Sequence, residues 1–467
     1  MKRFLYFIAA AFLMVACSPD TPIVNPDPVE PDEANVLFVS FPENENPGVG
    51  NYANAVIGNG YAYITVPEGV SLKALTARIT VSKGAKCYLD GQPFTGTTAL
   101  DFTRPVALKV ESKTGKKTTN LYILVKNGEY DIDKKAYDFM IKYEIPGVSV
   151  SVMKGEEICY ASGYGLANVE AQEKVTPDHL FRLASITKTF TSVCAMKLIE
   201  DGKMSLDDKV FGTGGILDTA FPGVTGLAAD IRVRNLLQHN NGISTSPDLA
   251  FSGSNIDNLI KTATQSMVAA PGTKFSYSNI GFMILGKVIE TVSGKDYETF
   301  LKEDVLKPMG ITDIHVGGDK AHRRTNECIY YSQDGKNGYG NNLPVIKALG
   351  GLIASTNQLM TWLAHLDGLD GVPDFLKPET LKAMYTTVAS TNSQRALGWS
   401  VNHSTLFPGG HFHSGNLAGT ATYYMGGANY SGTVMSCAVL CNSRNYDSGF
   451  DTALVLLDND FVQYFKK

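Results

Sequence analysis

The sequence predicts an α/β domain with an all-α lobe, its antiparallel sheet flanked by helices, behind a small all-β domain. Three observations predict it. About 430 residues follow a proline-rich stretch near the start, more than one hydrophobic core ordinarily holds. Apolar residues recur with period two from Asn35 to Asn127, without helical spacing. From Tyr130 the spacing turns helical, and strand patterns flank a long helical insertion. A cleft between a sheet lobe and a helical lobe is where a site is expected.

The elements follow in order. Met1-Lys2-Arg3 is a short basic start, and an apolar run from Phe4 to Ala16 is too short to span a bilayer. The run ends in Leu13-Met14-Val15-Ala16-Cys17. Residues 1–17 resemble a bacterial lipoprotein signal peptide. That resemblance implies cleavage before Cys17, lipidation of its thiol, and an exported chain anchored to a bacterial membrane by lipid alone, facing the periplasm or the cell surface. Residues 18–34 hold Pro19, Pro22, Pro26, Pro28 and Pro31 among acidic residues, the composition of an extended tether.

Residues 35–128 form the predicted β domain. Tyr61 to Val66 alternates. Leu75, Ala77, Ile79 and Val81 mark one face of a second strand, Val106, Leu108 and Val110 a third, and Leu121, Ile123 and Val125 a fourth. Asp90-Gly91, Gly96 and Lys113-Thr114-Gly115 supply turns between them. The pattern is that of a β-sandwich and looks like the immunoglobulin-like domains that precede catalytic domains in bacterial surface lipoproteins. A spacer role is expected.

Residues 130–467 form the larger domain. Ile132, Ala136, Phe139, Met140 and Tyr143 keep helical spacing, Ile145-Pro146-Gly147 ends that helix, and Val148, Val150 and Val152 alternate as a strand. A strand follows near Ile158–Ala161, and a helix holding Ser185 runs to Glu200. Helical segments are expected to dominate from Asp230 to Leu343. Strands return at Gly398–Val401, Thr420–Met425 and Thr433–Leu440, and a last helix covers Phe450–Phe465.

The net charge of −5 and pI near 5.9 argue against a nucleic-acid partner. Of seven cysteines, Cys17 would carry the lipid that the signal-peptide resemblance implies, and Cys87, Cys159, Cys194 and Cys328 are scattered. Cys437 and Cys441, four apart in a strand, would sit about 13 Å from each other, too far for a disulfide. Buried free thiols are expected, and no C-x-x-C pair suggests zinc or redox work.

Three short motifs carry chemistry. Ser185-Ile186-Thr187-Lys188 places a hydroxyl and an amine on one helix face, with Cβ atoms roughly 5–6 Å apart. A serine hydroxyl needs such a neighbour to attack well. Alone the tetrapeptide is weak, since chance supplies S-x-x-K about once or twice in a chain of this length. Tyr277-Ser278-Asn279 puts a phenol and an amide on a loop facing one cleft; the phenol can pass a proton if a neighbouring ammonium lowers its pKa. His413-Ser414-Gly415 opens a strand pattern, where glycine lets a substrate approach the backbone and the N–H of Asn416 can face an oxyanion.

In this order the motifs resemble the serine β-lactamase and D-Ala-D-Ala-carboxypeptidase superfamily, closest to its class C-like branch. Phe181–Lys188, Asn235–Gly242, Pro271–Asn279, Gly281–Glu290 and Leu349–Ser355 all look like that branch, so the resemblance covers Tyr130 to the C-terminus and none of the β domain. It implies the β-lactamase/transpeptidase-like fold and an exported serine hydrolase. Ser185 is the implied nucleophile, with Lys188 and Tyr277 sharing the acid/base work. Asn279 would orient Lys188 or the substrate amide, and His413 would contact the substrate carboxylate or Tyr277. The N–H groups of Ser185 and Asn416 would form the oxyanion hole. No cofactor is implied, and the partner is a small peptide, amide or ester substrate, peptidoglycan included.

One departure matters. Many members carry lysine where His413 stands, and histidine is only partly charged at neutral pH. This favours D,D-peptidase, esterase or D-amino-acid amidase activity over that of a dedicated β-lactamase. A non-catalytic peptidoglycan- or peptide-binding lipoprotein is the alternative of another class. His411-Phe412-His413 offers two metal ligands on a strand but lacks carboxylate partners at ligand spacing, so no metal is expected.

Overall fold

The computed structural model describes residues 31–50, 54–96, 98–387, 394–401 and 405–467. The signal peptide, Cys17 and the tether up to residue 30 lie outside the described residues. Among the described residues no helix is long and apolar enough to cross a membrane.

The β domain is built on a six-stranded sheet with short two-stranded sheets beside it. Its inner face buries Ala62, Ile64, Leu108, Leu121 and Ile123 against Val39, Phe41 and Phe102. The sheet is mixed, because Tyr122–Asn127 runs parallel to Tyr61–Val66. The single strand expected from Leu75 to Val81 is two. Leu75–Thr76 pairs with Ala99–Leu100, and Arg78–Val81 pairs with Val36–Ser40. The Asn46 side chain causes the break: its Oδ1 accepts from the Thr76 N–H at 2.7 Å and its Nδ2 donates to the Thr76 carbonyl at 3.0 Å.

The larger domain centres on a seven-stranded antiparallel sheet. Its order is Glu173–Lys174, Glu157–Asn168, Gly147–Lys154, Thr433–Cys441, Thr420–Tyr430, His411–Leu417 and Ser400–Val401. Helices Tyr130–Tyr143 and Phe450–Phe465 cover one face, with Val148, Val150, Val439 and Phe461 in the layer between. The other face meets a helical lobe around Thr187–Glu200, Asn279–Ser293 and Thr356–Ala364, where Phe190 stacks on Trp362 at 4.0 Å. The segment 319–351 is irregular rather than helical. Its path is fixed by buried Arg182, whose Nη2 donates to the Gly318 carbonyl at 3.1 Å and whose guanidinium lies 4.1 Å from the Tyr330 ring centroid.

The described cysteines are all free thiols. Cys159 is exposed rather than buried, because Glu157–Tyr160 sits at the solvent end of its strand.

The two domains share a buried polar knot. Asp133, in the first turn of Tyr130–Tyr143, is fully buried and accepts from Thr65 at 3.0 Å and Lys126 at 3.0 Å in the β domain. Tyr160 at 2.6 Å and Tyr164 at 2.7 Å donate to it from the large sheet. Tyr63 stacks on Tyr137 beside it, with centroids 5.0 Å apart.

Candidate active site

Ser185 sits in a 3-10 turn, Ala184–Ile186, that runs straight into helix Thr187–Glu200. Ala184, just before it, has φ of 48°, a left-handed conformation unusual for a residue with a side chain. The surroundings impose it. The Leu183 N–H donates to the Leu352 carbonyl at 2.8 Å, and the Leu183 carbonyl accepts from Thr422 Oγ1 at 2.9 Å.

Lys188 is fully buried one turn on, with Nζ 3.1 Å from Ser185 Oγ and donating to the Leu349 carbonyl at 2.7 Å. Burial holds its pKa well below the ordinary lysine value; the Asp248 carboxylate opposes this and the Arg395 guanidinium adds to it. A neutral amine beside a serine hydroxyl is a general base in position.

Tyr277 hydrogen-bonds Ser185 from the other side. Burial pushes its pKa up to about 12, although the Ser185 bond and the Arg395 charge pull it down. The phenol therefore keeps its proton near neutrality and can donate it. Tyr277 is not in a free loop: Ser278 caps helix Asn279–Ser293, its Oγ accepting from the Gly281 N–H at 3.1 Å. Buried His239 stacks under Tyr277 at 4.4 Å, and its Nδ1 accepts from the Ser278 N–H at 3.0 Å.

Asn279 turns its amide elsewhere than to Lys188. Its Nδ2 donates to Asp248 Oδ2 at 2.6 Å, and its Oδ1 has no partner among the described residues.

His413 is buried beside Tyr277, with ring centroids 6.3 Å apart. Its Nδ1–H donates to the Ser414 carbonyl at 2.6 Å, which leaves Nε2 unprotonated. Burial, and then the charges of Arg395 and Lys188, lower its pKa to about 3. A neutral imidazole cannot supply the positive charge expected of it. Arg395 can: its guanidinium carbon lies 5.7 Å from the ring centroids of both Tyr277 and Phe275, and no carboxylate among the described residues pairs with it. His411 stacks on Tyr385 at 4.1 Å in a separate buried pocket, so the two histidines do not share a ligand site.

Packing alone requires glycine at 415. A Cβ there would meet the Leu183 carbonyl at 2.2 Å and Thr422 Oγ1 at 2.3 Å. Its absence lets strand His411–Leu417 lie directly on the turn that holds Ser185. Ser400–Val401 pairs with that strand only at His411 and Phe412. Beyond them, among the described residues, no strand pairs with its outer edge along His413–Leu417, next to Ser185, and Asn416 is exposed there.

The motifs thus meet at one point. Arg395, Asp248 and His239 join them unannounced. His239 lay within a stretch already matched to the superfamily, whereas Arg395 and Asp248 carry no spacing signal.

Comparison with known proteins gives the family and the fold. The Beta-lactamase family model matches residues 132–454. The chain belongs to the Beta-lactamase family. A second model, SGBP, N-terminal, matches residues 50–123 of the β domain. Protein flp of Staphylococcus aureus (strain N315) is 24% identical over 318 residues, 65% of this chain and 61% of its own length. The match thus spans about three-fifths of that relative. The "Putative D-alanyl-D-alanine carboxypeptidase" of Escherichia coli (strain K12) is 25% identical, over 62% of this chain and 74% of its own. The D-amino acid amidase of Ochrobactrum anthropi SV3 superposes with a TM-score of 0.59 at 21% identity, covering 72% of this chain and 98% of that one, a likeness of fold. The β-lactamase/transpeptidase-like fold is therefore this chain's fold, and its family is one of serine hydrolases.

Proposed function

We propose that this chain hydrolyses small peptides or amides through an acyl-enzyme on Ser185, with D,D-carboxypeptidase-like chemistry. The observation that carries the reading is the chain Lys188–Ser185–Tyr277, a buried neutral amine and a protonated phenol both bonded to one hydroxyl. Lys188 takes the Ser185 proton as Oγ attacks the substrate carbonyl carbon. The N–H groups of Ser185 and Asn416 hold the resulting oxyanion. Tyr277 gives its proton to the leaving nitrogen as the C–N bond breaks, and Lys188 returns a proton to Tyr277. Water then cleaves the acyl ester by the reverse relay.

Arg395 supports a carboxylate on the leaving side over a plain ester or amide, since a guanidinium pairs well with a carboxylate. The carboxypeptidase and amidase relatives support the same class. Cys17 supports export and a lipid anchor; Cys17→Ala should then move the chain from the membrane to the soluble fraction, and unchanged fractionation would contradict the anchor.

A panel of nitrocefin, a D-Ala-D-Ala peptide and a short-chain ester tests the activity. The peptide is expected to be the best substrate, with kcat/KM falling roughly a thousandfold or more in Ser185→Ala. No turnover of any of the three, or turnover that survives Ser185→Ala, contradicts the reading.

A further inference from the structure

We propose that the cleft selects substrates with a free ammonium group on the acyl side of the scissile bond, and that Asp248 is the anion that binds it. This rests on the acyl-enzyme reading above and adds the substrate class.

Asp248 caps the short turn Leu249–Phe251, with Oδ1 accepting from the Ala250 N–H at 3.3 Å. Its Oδ2 accepts from Asn279 Nδ2 at 2.6 Å. These are neutral donors. Among the described residues no lysine, arginine or histidine lies at ion-pair distance from it. Yet it is close enough to Lys188 and Tyr277 to act on the titration of both. A carboxylate this near a catalytic centre, half-buried and unmatched by a cation, favours a ligand that brings one.

Arg395 is its counterpart. It too acts on Lys188 and Tyr277, and the two charges do not pair with each other. Two opposite charges thus lie beside the Lys188–Ser185–Tyr277 chain, and among the described residues neither is held in an ion pair. A dipeptide zwitterion has the matching pattern, its ammonium for Asp248 and its carboxylate for Arg395, with the scissile carbonyl between them.

The wall beside Asp248 leaves room for a side chain. A pocket of about 390 Å³ begins at Ala250 and is lined by Phe251, Ser252, Asn342, Val345 and Ile346. Ile346 packs toward Gly350, which abuts Ala184 next to the nucleophile. The lining is uncharged, so nothing in it competes with Asp248 for the ammonium. An N-acylated substrate would place a neutral amide at Asp248 and leave its charge unmatched.

The full chain should be assayed on D-Ala-D-Ala and on N-acetyl-D-Ala-D-Ala. The free dipeptide is expected to have at least a tenfold higher kcat/KM. In Asp248→Asn that ratio should fall toward one, and Asp248→Glu should restore part of it. Equal rates on both substrates overturn the proposal, as does an Asp248→Asn variant that loses both in proportion, which would make Asp248 a positioning residue for Asn279. If neither dipeptide is cleaved while a fluorophosphonate still labels Ser185, the ammonium proposal falls and the acyl-enzyme reading stands. If Ser185 is not labelled, both fall.

Discussion

Among the described residues no carboxylate lies within ion-pair distance of Lys188, and its burial is what fits it to act as a base. Activity should therefore persist at neutral pH and fall on acidification, as the amine takes up a proton at its lowered pKa. Tyr277 titrates only near pH 12, so it imposes no alkaline limb in the usual assay range. Arg395 helps to hold the Lys188 pKa down. Arg395→Ala should thus move the acid limb of kcat for a neutral ester to higher pH. On a peptide ending in a carboxylate the same variant should raise KM about tenfold or more, since a lost charge-assisted pair is worth about 1.5–3 kcal/mol. An unmoved limb would contradict the electrostatic link. Ser185, Lys188 and Tyr277 were legible because helical spacing and motif order place them. Arg395 was not, because it lies in an irregular segment where no periodicity connects it to Tyr277. Nor was the neutrality of His413 legible, since burial is a property of the packed fold.

At the scale of elements, the site depends on one strand lying hard against one turn. Gly415 makes that contact possible. Gly415→Ala should cost about 1–3 kcal/mol by forcing the backbone apart. It should also slow acylation more than it weakens binding, because it moves the open strand edge away from Ser185. Thermal melts with kcat and KM measured separately check both, and a stability loss with unchanged kcat would contradict the geometric role. Most helices and strands were legible from period and punctuation, the terminal helix Phe450–Phe465 among them. The Leu75–Val81 region was not. Its alternation continues unbroken because both short strands face the same core, and the break comes from the side chain of Asn46, thirty residues away.

At the scale of the molecule, the Asp133 knot joins the β domain to the catalytic one. Removing that carboxylate leaves Lys126 poorly compensated, at about 3–5 kcal/mol. Asp133→Ala should lower the melting temperature and split a single transition into two; calorimetry showing one unshifted transition would contradict the coupling. No sequence pattern announced this knot, since its members come from four separate elements. Asp458 gives the fold a second pH dependence. It is buried beside the Cys437 thiol, and burial raises its pKa to about 8. The unfolded chain ionises it above about pH 4, so unfolding releases a proton and stability falls as pH rises from there to about 8. Asp458→Asn should flatten that slope and raise the melting temperature by at least ~2 °C at pH 8, with little change at pH 4. In the proposed function Ser185, set against strand His411–Leu417, is the hydroxyl that is acylated. Intact-mass measurement after fluorophosphonate treatment tests this most directly. The wild-type chain should gain one adduct, on Ser185, while Ser185→Ala gains none and Lys188→Met gains it far more slowly; equal labelling of wild type and Ser185→Ala would contradict it.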